Sequence, residues 1–347
     1  MRALVVGGGS WGTAFACVLA RRGHVVTLGV RDAEAARAMA RDRTNARYLP
    51  DVRLEALVTP VPLELPRQCA GADLVVLAVP SRSFASVASS IRLDDGALAL
   101  SLTKGLDPAS GRLLLDVLAE RASIDPSRTA VLTGPNHAEE IAVGHPAASV
   151  LSSPSPAAAR RLQELLTGGM FRVYRSDDVV GVQLCAAAKN VVAVAAGASD
   201  GLGFGDNAKA ALMTRGLAEL GRLGEAFGAD PRTYAGLAGL GDLVATCTSR
   251  HSRNRAAGEQ IAKGVAPAEI ESRLGMAVEG LTTAPTLRRL GIERNVDLPI
   301  TEAVCAVVEG MPLAEALLGL LERVPASEHD ASRAAPELEG AQRSIVE

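Results

Sequence analysis

Aromatic side chains are scarce in this sequence: one Trp, three Tyr and five Phe, 3% of 347 residues. Any core must be filled by Ala, Leu, Val and Gly. A nucleic-acid surface of basic residues interleaved with stacking aromatics has nothing to be built from. An excess of charge is also missing, because 36 Lys and Arg stand against 39 Asp and Glu, a formal net charge of -3. The chain as a whole attracts neither nucleic acid nor an anionic membrane, so an anionic ligand must be held by a local basic cluster. The five cysteines, Cys17, Cys69, Cys185, Cys247 and Cys305, are odd in number and lack metal-ligand spacing. They read as reduced thiols of a cytoplasmic protein, with no zinc or other metal site. A long uninterrupted apolar run is absent too: the longest, Cys185 to Ala198, is broken by Lys189 and Asn190 and is shorter than a bilayer span. The N-terminus enters a strand without the basic, apolar and cleavage regions of a signal peptide. The expectation is a soluble, cytoplasmic chain with no membrane insertion.

What is present is 48% hydrophobic and 22% charged residues over a length sufficient for two domains. Residues 3–6 (ALVV) form a short buried-strand run, followed by Gly7-Gly8-Gly9-Ser10-Trp11-Gly12 and a helical stretch, with the next strand at His24 to Val30. Gly7, Gly9 and Gly12 match G-x-G-x-x-G in the strand-turn-helix setting that a dinucleotide site requires. The helix N-terminus then offers free N–H groups to a pyrophosphate. The second strand ends Gly29-Val30-Arg31-Asp32. Arg31 suits a ribose 2′-phosphate and favours NADP, while Asp32 beside it keeps NAD open. Arg31 as a plain solvated charge is the competing reading.

Further strands are expected at 72–80, 97–102, 130–132, 148–152 and 171–174, with helices at 33–41, 81–91 and 157–166. Lys104 follows one strand, and Gly134-Pro135-Asn136-His137-Ala138 follows another. Both stand beyond carboxyl ends of strands, where ligands of open α/β sheets collect. His137 has no carboxylate at a local spacing to orient it and is not assigned a catalytic role.

From Asp177 the pattern becomes helical, which predicts a Rossmann-type doubly wound domain over 1–178 and an all-helical domain over 179–325. Residues 326–347 are rich in Ala, Ser, Glu and Pro, and their composition predicts disorder. The stretch Gly181 to Leu220 reads as a helix, a loop holding Gly197, Gly201, Gly203 and Gly205, and a second helix after Asp206 and Asn207. Helical neighbours of Lys189 are Cys185, Ala186, Val192 and Ala193, so its ammonium has no polar face to reach. Burial that lowers its pKa would equip it for proton exchange near neutral pH; pairing with a distant acid would make it structural. Asp242 is expected in a glycine-rich turn (GLAGLGDL), and Arg250, Arg253 and Arg255 with Ser252 and Asn254 offer an oxyanion cradle.

Taken together, GGGSWGTA, NARYLP, AVPS, TKGL, GPNHAEE, CAAAKNVVAVAAGASDGLGFGDNAKAALMTRGLAE, GLAGLGDLVATCTSRHSRNR and VEGLTTAP resemble the bacterial NAD(P)-dependent glycerol-3-phosphate dehydrogenases, in the family's order, as far as about Thr283. The resemblance implies reversible reduction of dihydroxyacetone phosphate to sn-glycerol 3-phosphate for glycerophospholipid synthesis. Lys189 would then be the proton donor and acceptor at the C2 oxygen. Lys104, Gly134, Asn136, Asp242, Ser252, Arg253 and Asn254 would meet substrate with it. Gly7, Gly9, Ser10, Trp11, Gly12, Arg31, Lys104, Ala138, Arg253 and Glu279 would line the cofactor site. The sequence departs from the family pattern at Asn136 (usually Ser or Thr), at His137 (usually aromatic) and in lacking a Trp shortly before Arg31. NADP is the expected cofactor, NAD the alternative, no metal is required, and a closed homodimer through the helical domain is the default assembly. Two other readings remain at this point: a β-hydroxyacid or sugar-acid dehydrogenase, and a non-catalytic NADP-binding sensor.

Overall fold

The first six residues set the frame, because Ala3 to Val6 are buried on both faces and must lie inside a parallel sheet. The computed structural model describes residues 1–323. The expected disorder of 326–347 lies outside the described residues, as do the last two of 179–325. Strands β1 (Arg2–Val6), β2 (Val25–Val30), β3 (Thr44–Asn45), β4 (Leu49–Arg53) and β5 (Val58–Pro62) alternate with helices α1 (Ser10–Arg21) and α2 (Ala33–Asp42). Then come β6 (Leu74–Leu77), α3 (Ser81–Ala88), β7 (Leu98–Ser101), α4 (Leu114–Ala122), β8 (Thr129–Thr133), α5 (Ala138–Ala142), β9 (Ala147–Ser152), α6 (Pro156–Leu166) and β10 (Phe171–Ser176).

Eight of these strands form one sheet in the order β10-β9-β8-β7-β6-β1-β2-β5, while β3 and β4 make a separate hairpin. The order reverses direction between β6 and β1, and the crevice above that point is where a dinucleotide seat belongs. Pro60 and Pro62 sit on β5, the sheet's edge, where a missing donor costs no ladder bond. Strands β8 and β9 pair antiparallel. The five-residue α5 between them is too short for a right-handed crossover.

After Ser176 every described element is a helix: α7 (Val179–Gly201), α8 (Gly205–Ala226), α9 (Pro231–Tyr234), α10 (Asp242–Thr248), α11 (Arg253–Ala262), α12 (Pro267–Leu274), α13 (Glu279–Arg294), α14 (Pro299–Val308) and α15 (Leu313–Leu321). Helix α7 is the axis around which the others pack. It is 23 residues long, with a mean hydropathy of 1.7 in its apolar window, so the helix that contains the apolar run is long enough for a bilayer span although the run itself is not. Within this fold 83% of its apolar window is buried, as in a core helix.

The expected four-glycine loop is corrected as well. Gly197 and Gly201 lie inside α7, the break is Leu202–Phe204, and α8 begins at Gly205 rather than after Asp206. Gly197 is there for close approach: a Cβ on it would lie 1.8 Å from the carbonyl oxygen of Arg255 on α11. Asp242 opens α10 after a single π-helical turn, Leu237–Gly241, instead of sitting in a turn.

Candidate active site

Gly7 has φ +118 and stands so close to β6 that a Cβ would lie 2.3 Å from the Ala78 carbonyl oxygen. A Cβ on Gly12 would in turn strike Gly7 O at 2.0 Å, so the loop can pass from β1 into α1 only with both glycines. At Gly9 the added atom would meet nothing within 4 Å, which leaves open space in front of the α1 N-terminus. No side chain caps that end. Ser10 and Trp11 occupy its first turn; Trp11 packs edge-on to Phe15, with ring centroids 5.5 Å apart, and its buried Nε1 has no partner. Free N–H groups, an open approach and an orphaned indole donor fit a pyrophosphate-bearing cofactor.

Beyond the carboxyl ends of β7 and β8, the sheet meets the helices that follow it. Lys189, in the middle of α7, is 4% exposed, and its Nζ donates to Asp242 Oδ1 at 2.8 Å and to Thr246 Oγ1 at 2.5 Å. Lys104 donates to the other oxygen, Oδ2, at 2.7 Å and to the Gly134 carbonyl at 2.9 Å. Thr133 Oγ1 also donates to Oδ2 at 3.3 Å. One carboxylate thus holds two ammonium groups, one from the loop after β7 and one from α7. Asp242 and Thr246, i and i+4 on α10, share the face that meets Lys189.

Burial pushes Lys189 down to a pKa of about 8; the like charge of Lys104 acts in the same direction, and Asp242 opposes both. Arg253, the other cation expected beside it, takes no part in this cluster. Burial by itself would raise Asp242, but the two lysines outweigh it and hold the carboxyl below its ordinary range. The lysine is therefore both paired and perturbed.

Asn136 accepts from Ser149 Oγ at 2.7 Å, and its buried Nδ2 has no partner. Ala138 is buried in the first turn of α5. His137 places Nε2 3.1 Å from the Ala245 carbonyl, and burial lowers its pKa. It lines a cavity of about 620 Å³ with His145, Arg250 and His251, beside the lysine pair rather than in it.

A second group gathers at the N-termini of α11 and α13. Ser252 caps α11, accepting from Arg255 N. Asn254 donates to Asn190 Oδ1 and accepts from Gly280 N, both at 2.9 Å. Arg253 is exposed and reaches only the Ala277 carbonyl, at 3.4 Å. Glu279 accepts from Ser81 N at 2.9 Å and Ser81 Oγ at 2.5 Å. Burial raises its pKa, against those bonds. Arg31 is exposed and follows Val30, the last residue of β2.

Sequence reasoning gave Thr246, Thr133, Asn190 and Ser81 no role. Thr246 had a signal, lying four residues after Asp242 on one helix face. For Ser81, which meets Glu279 across 198 residues, no local pattern exists.

Two family models match this chain: one described as the NAD-dependent glycerol-3-phosphate dehydrogenase N-terminus, over residues 3–159, and one as its C-terminus, over 178–318. A glycerol-3-phosphate dehydrogenase [NAD(P)+] of Prosthecochloris aestuarii is 44% identical, covering 93% of this chain and 98% of its own. One of a Parafrankia species is 46% identical over 94% and 99%. A solved glycerol-3-phosphate dehydrogenase from Coxiella burnetii superposes with a TM-score of 0.87 at 38% identity, covering 93% of this chain and 99% of the other. With both halves matched and relatives aligned nearly end to end, the chain belongs to the NAD-dependent glycerol-3-phosphate dehydrogenase family.

Proposed function

We propose that this chain catalyses reversible hydride transfer between NAD(P)H and dihydroxyacetone phosphate, giving sn-glycerol 3-phosphate, in the cytoplasm and in support of glycerophospholipid synthesis. The observation that carries the chemistry is the Lys189–Asp242–Lys104 cluster in the crevice between the sheet and the helices. A bound nicotinamide supplies or takes the hydride at C2. Lys189 handles the accompanying proton: as an ammonium it donates to the developing C2 alkoxide, and as an amine it accepts from the C2 hydroxyl. A pKa near 8 keeps both forms accessible at neutral pH. Asp242 and Thr246 hold Nζ in one place. Lys104 stands where developing charge on the substrate oxygen needs a counter-charge, and it uses preformed bonds rather than mobile water.

Arg253 is the phosphate anchor in this reading, supported by a guanidinium that, among the described residues, makes one long hydrogen bond, to a carbonyl. Asn254, with its second Nδ2 hydrogen, and Ser252 flank it, and the unpartnered Asn136 Nδ2 faces an oxygen of the substrate. Ser10, Trp11, Gly7, Gly9, Gly12 and Ala138 border the cofactor, with Glu279 at its nicotinamide end. We take the domains to divide at residues 178 and 179. A homodimer is supported by a groove of about 1400 Å³ along α7, α8, α14 and α15, lined in part by exposed Leu202, Phe204 and Leu321. Light scattering at micromolar concentration checks it, and a monomeric mass refutes it.

The experiment for the activity is the initial rate of NADPH and NADH oxidation with dihydroxyacetone phosphate, with unphosphorylated dihydroxyacetone as control. Phosphate-dependent turnover is expected, falling by about 10³ in Lys189→Ala while cofactor affinity persists. Turnover of a hydroxy carboxylate in its place, or cofactor binding without turnover of any substrate, overturns the reading.

A further inference from the structure

A hairpin with no part in the sheet is fastened to the glycine loop. Asn45, 3% exposed on β3, donates from Nδ2 to the Gly8 carbonyl at 2.9 Å and to Thr13 Oγ1 at 2.8 Å. Gly8 in turn lies against Val30, the last residue of β2: a Cβ on Gly8 would be 2.8 Å from Val30 Cγ2. The glycine loop, the end of β2 and the hairpin therefore form one contiguous body, with Arg31 following Val30. Tyr48 N closes the hairpin turn on Asn45, at 3.2 Å to its carbonyl and 3.3 Å to its Oδ1. Arg47, within that turn, is exposed, stacks its guanidinium over Tyr48 at 5.1 Å and makes one long bond, 3.2 Å, to the Gly275 carbonyl.

We propose that Arg47 is a second reader of the ribose 2′-phosphate: with Arg31 it forms a two-arginine seat at the end of β2, and the seat gives the chain a preference for NADP. This rests on the reading that a dinucleotide lies across Gly7 to Gly12. Among the described residues neither arginine has an ion-pair partner, and Arg47 has one long bond to the Gly275 carbonyl, so donors of both guanidinium groups remain open to a dianion. Arg43, just before the hairpin, is committed to the Val58 and Leu54 carbonyls. Asp32, the acid an NAD site would use on the ribose hydroxyls, caps α2: its Oδ1 accepts from Glu34 N at 2.9 Å and Ala35 N at 3.1 Å. Those bonds hold its carboxyl below the ordinary range, and the charges of Arg31 and Arg47 act on it in the same sense. Both guanidinium groups thus stand within electrostatic reach of one point at the mouth of the site.

The test is calorimetric titration of the full chain with 2′,5′-ADP and with 5′-ADP, for the wild type, Arg47→Ala, Arg31→Ala and the double variant. Arg47 is exposed, so its loss leaves the core intact. The wild type should bind 2′,5′-ADP at least tenfold more tightly than 5′-ADP. Each single variant should cut that ratio by about tenfold, the size expected for one charge-assisted contact. An unchanged ratio in Arg47→Ala overturns the proposal while leaving Arg31 as sole reader. Equal binding of both nucleotides by the wild type removes the seat altogether. Failure of the wild type to bind either nucleotide refutes the dinucleotide reading beneath it.

Discussion

Asp242→Asn keeps the size of the side chain and removes the one negative charge that buried Lys189 and half-buried Lys104 share. Lys189 lies 2.8 Å from one carboxylate oxygen and Lys104 2.7 Å from the other. At an effective dielectric constant of about 20, a charge pair at that separation interacts by about 6 kcal/mol. The amide retains a dipole toward the ammonium and water enters as the charge leaves, so we take half, about 3 kcal/mol, which corresponds to about two pKa units. The wild-type pKa of about 8 then falls by that much in the variant. In the reducing direction Lys189 must be protonated, so kcat/KM for dihydroxyacetone phosphate declines as pH rises through its pKa. At pH 7.5 the protonated fraction drops from about three quarters to about 3%, roughly a 25-fold loss from protonation alone. The pH profile of kcat/KM should show its descending limb displaced from near pH 8 to near pH 6, with most of the rate recovered below that point. Removing the shared partner of this ion pair also costs about 3–5 kcal/mol of stability, and adding Lys104→Met should relieve the repulsion and move the limb partway back. A folded variant whose limb stays near pH 8 would show that the limb belongs to another group and that Asp242 does not set the lysine.

Arg253→Ala should raise KM for dihydroxyacetone phosphate by about 10- to 100-fold, since a charge-assisted contact to phosphate is lost; an unchanged KM removes Arg253 from the phosphate site. Gly197→Ala places a methyl against the Arg255 carbonyl at a 1.8 Å approach, so α11 must shift. The expected cost is about 1–3 kcal/mol, read as a fall of several degrees in Tm. Because α11 begins at Arg253, KM for the phosphate substrate should rise with it; a wild-type Tm would refute the close-packing account. In the oxidising direction, kcat/KM for glycerol 3-phosphate should increase as pH rises toward 8, opposite to the reducing profile, because neutral Lys189 is then the competent form. Profiles of the same sign in both directions would refute its assignment as the proton carrier.

The features legible in the sequence are those whose cause is local. Gly7, Gly9 and Gly12 between an apolar run and a helix need no tertiary information, because the tight turn and the helix start are dictated within six residues. The same holds for Lys189, whose confinement follows from what stands three and four positions away. Its partner has no local signal: Asp242, which only the family resemblance brings near it, is 53 residues distant, and glycines before it read as a turn although it opens α10 with Thr246 on the same face. Gly197 and Gly201 misled for a related reason. In isolation a glycine weakens a helix and suggests a loop, yet here α11 lies so near that only glycine fits, and tertiary packing outweighs propensity. The hairpin carrying Arg47 shows the consequence for function. NARYLP could be matched as a string, but only the bonds from Asn45 to Gly8 and Thr13 bring its arginine to the end of β2. A residue's chemistry is written in the sequence; its address is written in bonds between segments, and the seat proposed for the 2′-phosphate depends on such an address.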